Sequence, residues 1–219
     1  MICCRNITKC YGATTVVQGL DLIVPLGSIC GLLGHHQAGK TTTLHMMAGL
    51  VTPTFGEIII NGMDISSDWG LKRVGYVQFS PQTNEGLTAR QNVVVAARTR
   101  GIGRQTAERR ASELLHQLQL APERWSYAAR ERLGVGIACA LIDAPDILLL
   151  DEPTGSMAIE GRRWFWRVIK DLARVGLTVV MAIHDPDDAM QCTMVARLHF
   201  GRLVYVGPPN VQVCARVQV

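Results

Sequence analysis

The feature that most constrains this 219-residue chain is the run "SICGLLGHHQAGKTTTLHMMAGL", where an apolar stretch, a loop and a helix-forming stretch follow without a break. The loop reads Gly34, His35, His36, Gln37, Ala38, Gly39, Lys40, Thr41 and fits the spacing G-x-x-x-x-G-K-[ST]. In that pattern consecutive backbone N–H groups and a helix N-terminus surround phosphate oxygens. Lys40 would reach the β- and γ-phosphates and the Thr41 hydroxyl would ligate Mg²⁺. The nucleotide-binding set read from the loop is Gly34, His35, His36, Gln37, Ala38, Gly39, Lys40, Thr41 and Thr42. His35, His36 and Gln37 are unusual occupants. An imidazole beside phosphate would make binding pH-dependent, but a loop whose interior side chains point outward is the simpler expectation.

Two more strand ends carry chemistry. In "DILLLDEPTG" residues 147–150 form a buried strand that delivers Asp151, a carboxylate able to hold Mg²⁺ directly or through water. Glu152 follows, placed to polarise an attacking water as general base. In "LTVVMAIHDPDD" a second apolar strand ends at His184, whose imidazole could hold the γ-phosphate, water and carboxylate in line. The expected catalytic set is Lys40, Glu152 and His184, with Thr41 and Asp151 as metal ligands.

Apolar runs bounded by turn residues read as strands at "GLDLIVPLG", "SICGLLG", "GEIIING", "VGYVQF", "DILLLD", "LTVVMAI", "VARLHF" and "RLVYVG". Helical periodicity marks "GKTTTLHMMAGL", "TAERRASELLHQLQL", "RERLGVGIACALI", "EGRRWFWRVIKDLARVG" and "DPDDAMQC". The fold class expected is therefore α/β. A phosphate-binding core carries antiparallel strands from the N-terminal segment and a helical insertion over residues about 80–141, in one unit spanning residues 1–219.

Composition removes several alternatives. With 48% hydrophobic residues the chain can bury a core. Its net charge of +4 comes from scattered arginines without the aromatic interleaving of a single-strand binder, so no nucleic-acid partner is expected. Seven cysteines with neither C-x-x-C pairs nor C/H clusters suit reduced thiols in the cytosol. The start "MICCRNITKCYG" lacks a signal-peptide run, and no stretch reaches the roughly 18 apolar residues of a membrane span.

The segments "ITKCYG", "LDLIVPLGSICGLLG", "AGKTTTLHMMAGL", "PTFGEIIINGMDI", "LLLDEPTG" and "GRLVYVGPP", in this order, resemble the ATP-binding subunits of ABC transporters over almost the whole chain. The wording is nearest to subunits that serve exporters. The resemblance implies a P-loop NTPase core with a helical subdomain, ATP and Mg²⁺ as ligands, and two ATP-binding subunits enclosing two ATP molecules beneath a transmembrane permease pair. It also implies a cytoplasmic chain, peripheral at the membrane face. Tyr11 matches the aromatic that stacks on adenine, with an aromatic of the small core as the other reading.

The resemblance fails at defined places. The family's L-S-G-G-Q falls, without a gap, on Tyr127, Ala128, Ala129, Arg130 and Glu131; a short gap would put its serine on Ser126. Neither register restores the glycine pair that lets backbone approach phosphate. Arg130 could supply charge instead, although an arginine in a first helical turn is more often solvated. The family's glutamine after "VGYV" falls on Phe79, with Gln78 and Gln82 displaced, and the aspartate of its subunit-contacting loop falls on Ala158. This division implies a chain whose own site is completed by a second, more complete ATP-binding subunit, a heterodimer rather than a homodimer. The rival expectations are a regulatory or structural subunit that binds nucleotide with little hydrolysis, and a soluble ATPase of this type acting on a ribosome or DNA.

Overall fold

The computed structural model describes residues 1–67, 73–78, 83–84, 86–123, 129–155 and 157–215. Among the described residues ten strands appear: β1 Ile2–Tyr11, β2 Thr14–Val24, β3 Ile29–Leu33, β4 Phe55–Ile60, β5 Met63–Asp64, β6 Val74–Val77, β7 Ile147–Asp151, β8 Thr178–Ile183, β9 Met194–His199 and β10 Arg202–Gly207. The described helices are α1 Lys40–Met47, α2 Ala89–Thr99, α3 Arg104–Gln117, α4 Ala129–Leu141, α5 Ile159–Arg174, α6 Pro186–Ala189 and α7 Val211–Ala215.

One sheet has the order β10-β9-β3-β8-β7-β6, with β9, β3, β8, β7 and β6 parallel and β10 antiparallel at the edge. Its central strands are apolar at consecutive positions because both faces are covered. Leu148 and Leu150 of β7, with Val179 and Met181 of β8, face the core shared with α4 and α5. Ile147, Leu149, Val180 and Ala182 face the opposite core, shared with α1 and the second sheet. The second sheet, β2-β1-β4-β5, is wholly antiparallel. The mixed α/β architecture is the one expected.

Between β6 and β7 the chain forms α2, α3 and α4. Trp164 of α5 ties this helical group to the core: it is buried, and its indole N–H donates to Leu118 O at 3.1 Å. Four elements escape the sequence reading: the short β5 and α7, and the longer β1 and α2. β1 is a ten-residue strand whose pairing with β2 shifts register three times, which erases a period-2 pattern. α2 contains Val93, Val94 and Val95, a β-branched run that masks helical periodicity.

Candidate functional site

The parallel sheet delivers the C-terminal ends of β3, β7 and β8 side by side, since β3 pairs with β8 and β8 with β7. A topology of this kind binds ligands beyond the carboxyl ends of its strands. The loop after β3 turns through left-handed backbone at Gln37 (φ 65°) and Gly39 (φ 96°). A Cβ at Gly39 would also sit 2.9 Å from Val16 O, so only glycine fits there. α1 opens on Gly39 with no side-chain cap and no acidic residue in its first turn. The amides of that turn have no intrahelical partner by helix geometry and carry the positive end of the dipole.

Lys40 is buried, and its ammonium donates to Gly34 O at 2.7 Å and His35 O at 2.8 Å. It lies 3.7 Å from Glu152 Oε1. Burial pulls the Lys40 pKa down, and the neighbouring carboxylates Glu152 and Asp151 pull it back up. The Thr41 hydroxyl donates to Asp151 Oδ1 at 3.0 Å. Asp151 is pushed above the ordinary carboxylate range, first by burial; the Thr41 hydrogen bond opposes this, the charge of Glu152 adds to it, and His45 and Lys40 oppose it. Glu152 follows in left-handed backbone (φ 45°), held by its N–H to Ala182 O at 3.2 Å, and its Oε2 is 3.9 Å from His184 Nδ1. A non-glycine residue at positive φ is a place where strain is stored, commonly beside chemistry.

Of these groups Lys40, Thr41 and Glu152 border a cavity of about 510 Å³, and His184 stands outside its lining. The phosphate loop and α1 contribute His36, Gln37, Gly39, Lys40, Thr41 and Thr42; β7 is followed by Glu152; β2 adds Thr14, Thr15 and Val16, and the β9–β10 turn adds Phe200. His36 and Gln37 are exposed, in keeping with a loop whose interior side chains point outward, and both contribute to the lining of this cavity. The His36 ring lies 5.9 Å from that of His184. His35 differs: its Nε2 is buried without a hydrogen-bond partner and its ring lies 6.2 Å from His199. Gly34, Ala38 and Asp151 support the loop and the Thr41 hydroxyl rather than line the cavity. Tyr11 stands at the end of β1, 49% exposed and outside the lining, with the Lys9 ammonium 5.1 Å from its ring.

Thr41 and Asp151 together present a hydroxyl and a carboxylate, hard oxygen donors close enough to share one small cation. That donor set fits Mg²⁺, which takes one or two protein oxygens and fills its octahedron with phosphate and water.

Several residues around this site gave no sequence signal. Asp188, 3% exposed, accepts from Thr154 Oγ1 at 2.6 Å and from the Trp166 indole at 2.7 Å. Arg162 donates to Asp185 Oδ2 at 2.5 Å. This network fastens the segment after Glu152, the turn after His184 and α5 to one another. Tyr76 of β6 lies 3.0 Å from His45 Nε2, and its phenol is pushed up to about 12 by burial and by Asp151.

The start of α4 shows a different chemistry. Arg130 is half-buried rather than simply solvated: its guanidinium lies 5.0 Å from the Trp164 ring, and its Nε is buried without a hydrogen-bond partner. Ala158 occupies the N-cap of α5 with no side-chain cap. Phe79, Gln82, Ser126, Tyr127 and Ala128 lie outside the described residues.

A parallel sheet with a phosphate loop, an acidic pair and a histidine at adjoining strand ends defines a P-loop nucleotide-binding cassette. Residues 17–155 match the ABC transporter family model, and the chain belongs to that family of ABC-type ATPase cassettes. It is 33% identical over 209 residues to the daunorubicin/doxorubicin resistance ATP-binding protein DrrA of Streptomyces peucetius, covering 92% of this chain and 63% of that one. It is 34% identical over 206 residues to the bacitracin transport ATP-binding protein BcrA of Bacillus licheniformis, covering 91% of this chain and 67% of that one. A dimeric bacterial ABC transporter cassette superposes with a TM-score of 0.84 at 25% identity, covering 96% of this chain and 99% of the other. The chain thus spans just under two thirds of DrrA's length.

Proposed function

We propose that this chain is the ATP-binding, ATP-hydrolysing subunit that energises a membrane ABC transporter working in export. It would act at the cytoplasmic face through a transmembrane permease subunit and pair with a second ATP-binding subunit whose signature is intact. The observation that carries this reading is the meeting of Lys40, Thr41 and Glu152 at the border of one cavity, with Asp151 behind Thr41 and His184 behind Glu152. The export direction draws its support from DrrA and BcrA, whose names state drug resistance and bacitracin transport. Among the described residues no helix is long and apolar enough to cross a membrane.

The geometry supports the following roles. The loop amides and the Lys40 ammonium neutralise phosphate charge at the N-terminus of α1. Exchanging the carbonyls of Gly34 and His35 for phosphate oxygens would give Lys40 a stronger partner at small displacement. Thr41 and Asp151 would hold Mg²⁺, which would supply positive charge to offset that of the phosphates. Glu152 is the base for the attacking water, and His184 fixes the base and the terminal phosphate in line. The signature of the opposite subunit would close the second face, a contribution this chain returns poorly.

The test is Mg-ATP binding and steady-state hydrolysis by the purified chain, with Glu152→Gln as control. Calorimetric binding is expected, with turnover that the control removes. Failure to bind would sink the reading. A second reading, a nucleotide-binding regulatory subunit, draws support from Arg130, whose charge is turned toward Trp164 rather than offered to a phosphate. Binding without turnover, even beside a complementary subunit, would favour it.

A further inference from the structure

The β9–β10 connection is a two-residue loop, Phe200 and Gly201, since His199 pairs with Arg202. Both loop residues have positive φ, 46° and 76°. Such a turn prefers Asn-Gly, because a side chain at its first position must tolerate left-handed backbone. Phenylalanine there is strained, and a bulky residue with positive φ is an outlier that calls for a cause. Core packing is not that cause, because Phe200 is 83% exposed. Its ring neighbour among the described residues is His199, with centroids 4.5 Å apart.

The turn is nevertheless held rigidly against the nucleotide site. Gly201 N donates to Ala38 O at 3.2 Å and Gly201 O accepts from Gln18 N at 2.8 Å, so one residue joins the phosphate loop and β2. Phe200 borders the same cavity as Lys40 and Thr41, beside Thr14, Thr15 and Val16. An exposed aromatic, fixed at the border of a phosphate site and built at a cost in backbone strain, suits one ligand surface above others: the flat face of a purine. Aromatic side chains stack on bases without a hydrogen-bond code, which gives affinity for the base with little choice among bases.

We infer that Phe200 is a stacking platform for the base of the bound nucleotide, adding to or replacing the contact that resemblance assigns to Tyr11. The inference rests on the nucleotide-binding reading above. It assigns to the β9–β10 turn a part in substrate recognition, where the turn's backbone conformation alone would ask for asparagine.

The experiment is calorimetric titration in a Glu152→Gln background with two probes, Mg-ATP and inorganic tripolyphosphate, comparing Phe200 with Phe200→Asn, Phe200→Leu and Phe200→Tyr. Phe200→Asn and Phe200→Leu are expected to weaken Mg-ATP binding by about fivefold to a hundredfold, the range of one base stack. Phe200→Tyr keeps the affinity, and tripolyphosphate binding is the same in all four. Thermal melting of Phe200→Asn without ligand is expected at or above the parent's, since asparagine suits the turn. Unchanged ATP affinity in Phe200→Asn and Phe200→Leu would overturn the inference while leaving the nucleotide reading standing. Equal weakening of tripolyphosphate would overturn it too, by showing that the turn acts through the phosphate loop. Absence of ATP binding in the parent would instead overturn the nucleotide reading, and this inference with it.

Discussion

The cavity at the ends of β3, β7 and β8 and the first turn of α4 use charge in opposite ways. At the cavity, Lys40 is buried yet held by carbonyls that a phosphate can replace, and Glu152 stands within 3.7 Å of it. At α4, the Arg130 guanidinium lies over Trp164 with its Nε buried. One cation is poised for a ligand and the other is spent on the core. The difference teaches that presence of a positive residue in a phosphate-contacting motif is not evidence of a phosphate contact. What counts is whether its present partners are weaker than the ligand, and an aromatic face in a desolvated setting is not readily surrendered.

The comparison breaks most visibly if Lys40 is dispensable. Lys40→Ala is expected to lower steady-state ATP hydrolysis by about 10²–10³-fold, the usual cost of losing one preorganised charge-stabilising group. A loss below tenfold would mean that the loop amides suffice.

Asp151 gives an effect of opposite sign on stability. Its folded-state pKa is raised by burial, so the chain binds that proton more tightly folded than unfolded. The stability linked to it is therefore present at low pH and lost as pH rises from the ordinary carboxylate value of about 3.9 through the raised one. At neutral pH the ionised carboxylate works against folding when no cation is bound. Asp151→Asn is thus expected to melt higher than the parent at pH 7 without ligand, with a flatter stability profile in acid and no stabilisation by Mg-ATP. Denaturant titrations at several pH values check this; a lower midpoint at pH 7 would refute it.

Two smaller effects sharpen the α4 and α5 side. Ala158 leaves α5 without a side-chain cap, so Ala158→Asp is expected to stabilise the isolated chain by about 1 kcal/mol in urea denaturation. Arg130→Met is expected to cost between about 0.5 and 1 kcal/mol of stability through the lost stack on Trp164. It should leave hydrolysis unchanged within twofold; a larger fall would show that Arg130 reaches a phosphate after all.

Much of the phosphate site was legible because its chemistry dictates local order: glycines where the loop must turn, a lysine one residue later, carboxylates at the end of a doubly buried strand. β7 and β8 were legible for the same reason, their unbroken apolar runs reporting two covered faces. β1 was not, because three register shifts scramble its alternation. α2 was not, although Thr88 and Gln91 form a capping box that announces its start. Phe200, Asp188 and the inward turn of Arg130 depend on contacts between distant segments, and no local pattern encodes those.

The central claim is that the nucleotide-accepting side is complete and the donating helix start is what limits turnover. The direct measurement is steady-state Mg-ATP hydrolysis by the chain carrying Tyr127→Leu, Ala128→Ser, Ala129→Gly, Arg130→Gly and Glu131→Gln together, beside the parent and beside each with Glu152→Gln. The five-residue exchange is expected to raise turnover by about 10²–10³-fold, all of it lost with Glu152→Gln. Turnover equal in the exchanged and parent chains, with both folded and both binding ATP, would contradict the account.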